Sequence, residues 1–157
     1  MTKNISYIEL PIKPTWRRYK NIFLRNSDIS IYRALEYEAL SKVPFSGRIL
    51  DFGGGNKAHY LSDLKSWMRD GVYESANISA EMEPTYLVTP GGDLPVAAGT
   101  FDMVVSVNTL EHVYHLDAAL RELVRVLKPG GRIVLAVPFL FRMHGCPDDY
   151  NRPTASW

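Results

Sequence analysis

Five short strand-length stretches, separated by segments of helical periodicity or tight turns, constrain this chain more than any other feature. They are RILDF (Arg48–Phe52), VYESANIS (Val72–Ser79), YLVT (Tyr86–Thr89), FDMVVSV (Phe101–Val107) and RIVLAV (Arg132–Val137). FDMVVSV and RIVLAV are apolar at successive positions, as strands covered on both faces must be. Between them Leu116, Leu120, Leu123, Val124 and Leu127 fall on one face of a helix, with Asp117 placed to cap it. LKPGG (Leu127–Gly131) stops that helix, because Pro129 cannot continue it and the two glycines supply the turn. A helix is also expected over Ala58–Arg69. Another is expected over Ser27–Val43, where Ile31, Leu35, Ala39 and Val43 recur every fourth residue before Pro44. Alternation of this kind predicts an α/β fold, a doubly wound parallel sheet with helices on both faces. One link is short. Only AEMEPT separates the second and third strands, whereas a parallel crossover usually takes a dozen or more residues.

The 157 residues provide for one domain and one core, with residues 1–46 read as an N-terminal arm and helix and 47–157 as the sheet. Trp16 and Tyr19 mark the arm as a lid over the site. A formal charge of +1 predicts no general attraction to nucleic acid or membrane, although Lys3, Lys13, Arg17, Arg18, Lys20 and Arg25 make the arm locally basic. The longest apolar run, Ile133–Phe141, falls well short of the ~20 residues that span a bilayer. Cys146 is the only cysteine, which precludes an internal disulfide and suits a reducing, cytoplasmic setting.

ILDFGGG places Gly53, Gly54 and Gly55 where the first strand ends, and in parallel sheets ligands bind beyond the carboxyl ends of the strands. Backbone without side chains there predicts close approach of a nucleotide-type cofactor. Gly53-x-Gly55-x-x-Ala58 fits a loose dinucleotide fingerprint, with Glu74 at the distance of a ribose-binding acid, so an NAD(P) oxidoreductase is one reading.

Taken together, ILDFGGG, NIS, GGDLP, FDMVVSVNTLEHV, ALRELVRVLKPGGRIVLAVP and HGCPDDYNRPT resemble the class I S-adenosylmethionine-dependent methyltransferases. The likeness runs from about Gly47 to Thr154 and is nearest to the small-molecule group with LEH and LKPGG segments. It implies a Rossmann-like sheet of about five strands in the order 3-2-1-4-5, with S-adenosylmethionine as cofactor. By that resemblance Asp51, Gly53, Gly54 and Gly55 border the amino acid end of the cofactor, and Asn77 holds the ribose hydroxyls. Asp93 and Leu94 meet the adenine, and Asn108 and Leu110 lie under the sulfonium. Two positions depart from the pattern. Lys57 replaces a third glycine, and Asn77 stands where an acid is usual, which weakens a ribose contact by about 1 kcal/mol. Glu74 is the fallback acid, but strand alternation directs it to the face opposite Asn77.

Methyl transfer from a sulfonium is governed mainly by alignment, so no catalytic triad is required. His112, just past the fourth strand, is the candidate base for a hydroxyl or amine acceptor. In ubiquinone-type O-methyltransferases, which the chain resembles here, this segment carries acids and a histidine that bind a divalent ion. With Asn108 in place of the first acid only Glu111 and His112 remain, and no metal is expected. His144, Asp149, Tyr150 and Arg152 are candidate acceptor-binding residues. The expected function is methylation of an O or N atom of a small molecule; a cofactor-binding module without turnover is the alternative. The family sheet normally continues with an antiparallel pair of strands after RIVLAV. A chain ending at RPTASW is expected either to be truncated or to cover that strand edge by forming a homodimer.

Overall fold

The computed structural model describes residues 30–139, 141–145 and 148–153, together with residues 16, 20 and 24. Tyr19 and Cys146 lie outside them. The chain divides into two compact units, Met1–Val43 and Pro44–Trp157.

In the first unit α1 spans Ile31–Leu40, and the Ser30 hydroxyl caps it by accepting from the Arg33 N–H at 3.2 Å. Its buried positions are Ala34, Glu36 and Leu40, so the face is rotated from the one the Ile31 repeat predicts, and Ile31 itself is exposed.

The second unit is built on a parallel sheet: β1 (Arg48–Phe52), β2 (Val72–Asn77), β3 (Tyr86–Leu87), β4 (Phe101–Val107) and β5 (Leu127–Ala136), ordered β3-β2-β1-β4-β5. The predicted order 3-2-1-4-5 is thus observed. β4 is deeply buried, with Phe101, Met103, Val104 and Val105 fully inaccessible. Each such side chain contributes about 1.5–3 kcal/mol by leaving water. Strand alternation sends Leu50 and Val104 to one face, where Leu123 and Val126 of α3 (Leu116–Val126) pack on them. Asp51 points to the other face, beneath the start of α2 (Leu61–Trp67).

Several predicted boundaries shift for identifiable reasons. α2 is shorter than Ala58–Arg69 because Asn56 and Lys57 bond back to Glu83 and Met82, and Met68 leaves the helix to bridge Phe45. α3 starts at Leu116 after His115, which makes no side-chain cap. Asp117 lies in the first turn, where its charge complements the helix dipole instead of capping. β5 begins at the helix end, since Leu127 pairs with Phe101 before Lys128–Gly131 bulge out and pairing resumes at Arg132. The short crossover holds one 3₁₀ turn, Ala80–Met82, in place of a helix, and β3 is reduced to two residues. Among the described residues β5 is an edge strand, and no helix is long and apolar enough to cross a membrane.

Candidate active site

All three glycines of the turn are required by the chain's own atoms. Gly53 has φ +94°, and a Cβ there would lie 2.0 Å from the Thr109 hydroxyl. At Gly54 it would lie 2.0 Å from the Asp51 carboxylate, and at Gly55 2.2 Å from the Met82 carbonyl. The turn is therefore clamped between β1, the loop after β4 and the 3₁₀ turn after β2. This differs from the expectation that the glycines clear room for a ligand. Protein fills the space where each Cβ would be.

The turn's N–H groups also face inward. Gly53 donates to Ala76, Gly54 to Asp51, Asn56 to Glu83, Lys57 to Met82 and Ala58 to Gly55, while the backbone of Gly55 bonds the Tyr73 hydroxyl. A dinucleotide needs such groups turned outward, at a helix N-terminus, to hold its pyrophosphate. Here they are spent, and α2 begins only at Leu61. The donor set fits a cofactor without phosphates, and the NAD(P) reading falls on this point.

The Asp51 carboxylate lies fully buried under the turn, accepting from the Tyr60 hydroxyl at 3.0–3.1 Å and from Tyr73 at 2.8 Å. Burial pushes its pKa up to about 6, against the opposing effect of the two phenol donors. Because the folded pKa lies above the unfolded one, the folded state binds the proton more tightly. Asp51 therefore favours folding most below about pH 4, and this advantage declines as pH rises through about 6. Subtracting the denaturant midpoints of Asp51→Asn from those of the parent, between pH 4 and pH 8, should reveal that decline and a plateau above pH 7. A flat difference would mean the group titrates normally.

Asn77 is committed at both ends. Its amide N donates to the carbonyls of Gly53 at 2.6 Å and Gly54 at 3.0 Å, and its oxygen accepts from the Ser79 N–H at 2.9 Å. Two acceptors on one side and a donor on the other fix the amide's orientation. Glu74 is occupied as well. It joins Arg48 across the sheet, with Nη2 to Oε2 at 3.0 Å, and accepts from the Tyr86 hydroxyl, forming a strut over β1, β2 and β3. The Arg48 hydrogen bonds hold its carboxyl below the ordinary value.

Asp93 is exposed and precedes Leu94 in the chain. Leu94 is buried, its N–H donates to Glu122 at 2.7 Å and its carbonyl accepts from Arg125 at 3.1 Å. Past β4, Asn108 adopts φ +50°, uncommon for a residue with a side chain and frequent at functional sites, and Leu110 is buried. A 3₁₀ turn, Leu110–His112, follows.

The segment 148–153 folds back on that turn. Tyr150 and Asn151 donate backbone N–H groups to the Glu111 carbonyl, and the Asn151 side chain donates to Leu110 and Val113. His112 Nδ1 lies 2.6 Å from the Asp148 carbonyl, an acceptor only, so Nδ1 carries a hydrogen, and Nε2 lies 3.7 Å from Glu111 Oε1. His144 packs edge-on against the His112 ring at 5.1 Å. Asp149 pairs with Arg152, and Tyr150 donates to Asp148 at 2.9 Å. Glu111 is fully buried, which raises its pKa.

The predicted residues thus form two groups: Gly53, Gly54, Gly55, Asn77 and Asp51 around the turn, and His112, His144, Asp149, Tyr150 and Arg152 around the loop after β4. Sequence reasoning passed over Tyr60, Tyr73, Thr109 and Asn151. Tyr73 alone carried a signal, since strand register and alternation put it on the Asp51 face.

A five-stranded parallel sheet in this order, with a glycine turn after β1 and an LEH turn after β4, defines a class I S-adenosylmethionine-dependent methyltransferase fold. The family model described as "Methyltransferase domain" matches residues 50–135, more than half the chain, and the chain belongs to that family. It is 33% identical over 106 residues to a demethylmenaquinone methyltransferase of Roseiflexus sp. (strain RS-1), covering 60% of this chain and 44% of that protein. It is 31% identical over 106 residues to the tRNA (carboxymethyluridine(34)-5-O)-methyltransferase ALKBH8 of Macaca fascicularis, covering 64% of this chain and 16% of that one. Among solved structures, the methyltransferase in complex with the Trm112 methyltransferase activator of Haloferax volcanii superposes with a TM-score of 0.56 at 25% identity, over 77% of this chain and 56% of that one. The chain spans less than half the length of the curated relatives it first matches.

Proposed function

We propose that this chain transfers a methyl group from S-adenosylmethionine to an oxygen or nitrogen of a small molecule. The cofactor supplies a methyl already activated on a sulfonium, so the protein's task is alignment, which can lower the barrier by ~7–11 kcal/mol. Asp93 and Leu94 receive the adenine end, Asn77 and the Gly53–Gly55 turn border the ribose and amino acid end, and Asn108 and Leu110 lie beneath. His144, Asp149, Tyr150 and Arg152 offer polar contacts to the acceptor. The supporting observation is the His112 ring: its Nδ1 hydrogen is held by the Asp148 carbonyl, so in the neutral ring Nε2 is the nitrogen that takes the acceptor's proton, with the Glu111 carboxylate 3.7 Å away. His112→Ala should lower kcat by roughly 10²–10⁴-fold while the affinity for S-adenosylhomocysteine stays within about twofold. Calorimetry and single-turnover methyl transfer would measure the two separately. Equal loss in both would remove His112 from the chemistry.

A second reading, a cofactor-binding module without turnover, draws on two features. Asn77 is spent on its own backbone, and Lys57, at the missing glycine, is ion-paired with Glu83 at 2.8 Å. Binding of S-adenosylhomocysteine with no transfer to any hydroxyl or amine of a broad acceptor panel would favour it. Binding of NAD instead would sink both readings.

A further inference from the structure

Two side chains of α3 take hold of the residue that follows Asp93. Glu122 and Arg125 stand about one turn apart and pair with each other at two points, Arg125 Nε to Glu122 Oε2 at 2.6 Å and Nη2 to Oε1 at 2.6 Å. A forked pair of this kind fixes both groups in one plane. Each then reaches the loop ahead of β4. Glu122 Oε1 accepts from the Leu94 N–H at 2.7 Å, while Arg125 donates to the Leu94 carbonyl at 3.1 Å and to the Val96 carbonyl at 2.9 Å. The backbone closes the same seam, since the Gly99 and Thr100 N–H groups donate to the carbonyls of Arg125 and Val126 at 2.9 and 2.8 Å.

The Leu94 side chain already anchors the loop, because it belongs to the buried cluster that includes Leu123 and Val126. The polar grip adds orientation. The Leu94 N–H lies in the rigid peptide that joins it to Asp93, so holding it fixes the plane from which Asp93 departs. Pro95, with its fixed φ, stiffens the next step. With its N–H spent on Glu122, Leu94 has no donor to offer a base, and the Asp93 carboxylate, exposed beside it, remains to do the reading. The Glu122 hydrogen bonds raise the Arg125 pKa most, and the Asp93 charge acts in the same sense. A carboxylate only accepts hydrogen bonds, so it selects a purine that carries a donor, the 6-amino group of adenine, over one with an oxygen there.

We propose that Glu122 and Arg125 are positioning residues for cofactor selection: acting through Leu94, they hold the Asp93 carboxylate where it reads the exocyclic amine, and so set the preference for adenine over a 6-oxopurine. This rests on the reading that places the adenine at Asp93 and Leu94. In the sequence the two residues look like a solvated helix pair. Nothing there ties them to Leu94, which lies 28 and 31 residues earlier.

The test measures selectivity. Calorimetry with S-adenosylhomocysteine and with S-inosylhomocysteine, its deaminated counterpart, gives a ratio of affinities for each protein. The parent should favour the amine by roughly tenfold or more, and Asp93→Ala should bring the ratio near one. Arg125→Met, which keeps an unbranched side chain and removes its donors, should cut the ratio by about threefold or more, as should Glu122→Ala. Arg125→Lys returns one donor and should fall between Arg125→Met and the parent. Deuterium exchange at the Leu94 amide reports the grip itself. It should be slow in the parent and fast in Glu122→Ala, with the amides of β4 equally protected in both. An unchanged ratio once that amide is released, or an equal loss of affinity for both ligands, overturns the proposal and leaves the pair as a structural brace. A parent that binds neither ligand removes the adenosyl-cofactor reading and this proposal with it. A parent that discriminates, with variants that discriminate equally well, removes this proposal alone.

Discussion

Gly53→Ala is expected to unfold this sheet's ligand end at the first added methyl. The position has φ +94°, where a side chain costs about 1–3 kcal/mol. The new Cβ would sit 2.0 Å from Thr109 Oγ1 and 2.3 Å from its Cγ2, and relieving such an overlap costs about 1–3 kcal/mol more. Thr109 cannot rotate out of the way, since its own Cβ would still lie at 2.6 Å. The melting temperature should fall by on the order of 10 °C. S-adenosylhomocysteine binding should be lost under conditions where the variant remains folded. Combining it with Thr109→Gly removes the collision but not the backbone strain, so the double variant should recover part of the loss. Full recovery would show that the positive φ is of no consequence, and no loss at all in Gly53→Ala would show that the turn is not clamped.

Asn77→Asp distinguishes two ideas of what this residue does. Were ribose contact its chief task, the acid that the family pattern favours would bind cofactor more tightly and leave stability alone. The hydrogen bonds indicate the reverse. Aspartate cannot donate, so the carbonyls of Gly53 and Gly54 would lose their partner and face a negative charge. We expect a loss of about 2–4 kcal/mol, growing as pH rises and the carboxyl ionises, with weaker S-adenosylhomocysteine binding. Urea denaturation at pH 4 and pH 7, paired with calorimetry, measures both. Tighter binding with unchanged stability would return Asn77 to the role the sequence suggested.

The two cases show where sequence reasoning reaches and where it stops. Strand identity was legible because apolar stretches such as residues 103–105 have few alternatives to a buried parallel strand, and the strand order came from the family resemblance. The glycine turn was legible as a tight bend after the first strand, but its physical reason was not. Nothing in GGG announces that Thr109, Asp51 and Met82, contributed by three separate segments, occupy the space around it. Asn77 read as a ribose ligand because an amide can bond a hydroxyl, and sequence does not reveal that its amide nitrogen also bonds two carbonyls of the turn. Asp117 read as a cap from its place before an apolar run, yet the chain turns one residue earlier. His144 shows the same limit from the other side, because its edge-on contact with the His112 ring at 5.1 Å joins two loops that only the folded sheet aligns.

The narrowest part of the sheet, two residues of β3 held to β2 and braced by the Tyr86–Glu74–Arg48 strut, has a dynamic consequence. A ladder so brief has little to resist local opening, so its amides should exchange with deuterium far sooner than those of β4. The same stretch of chain leads directly to Asp93. If Asp93 receives the adenine as proposed, a bound nucleoside would act as a fastener on the margin that peels first, slowing exchange at Tyr86 and Leu87.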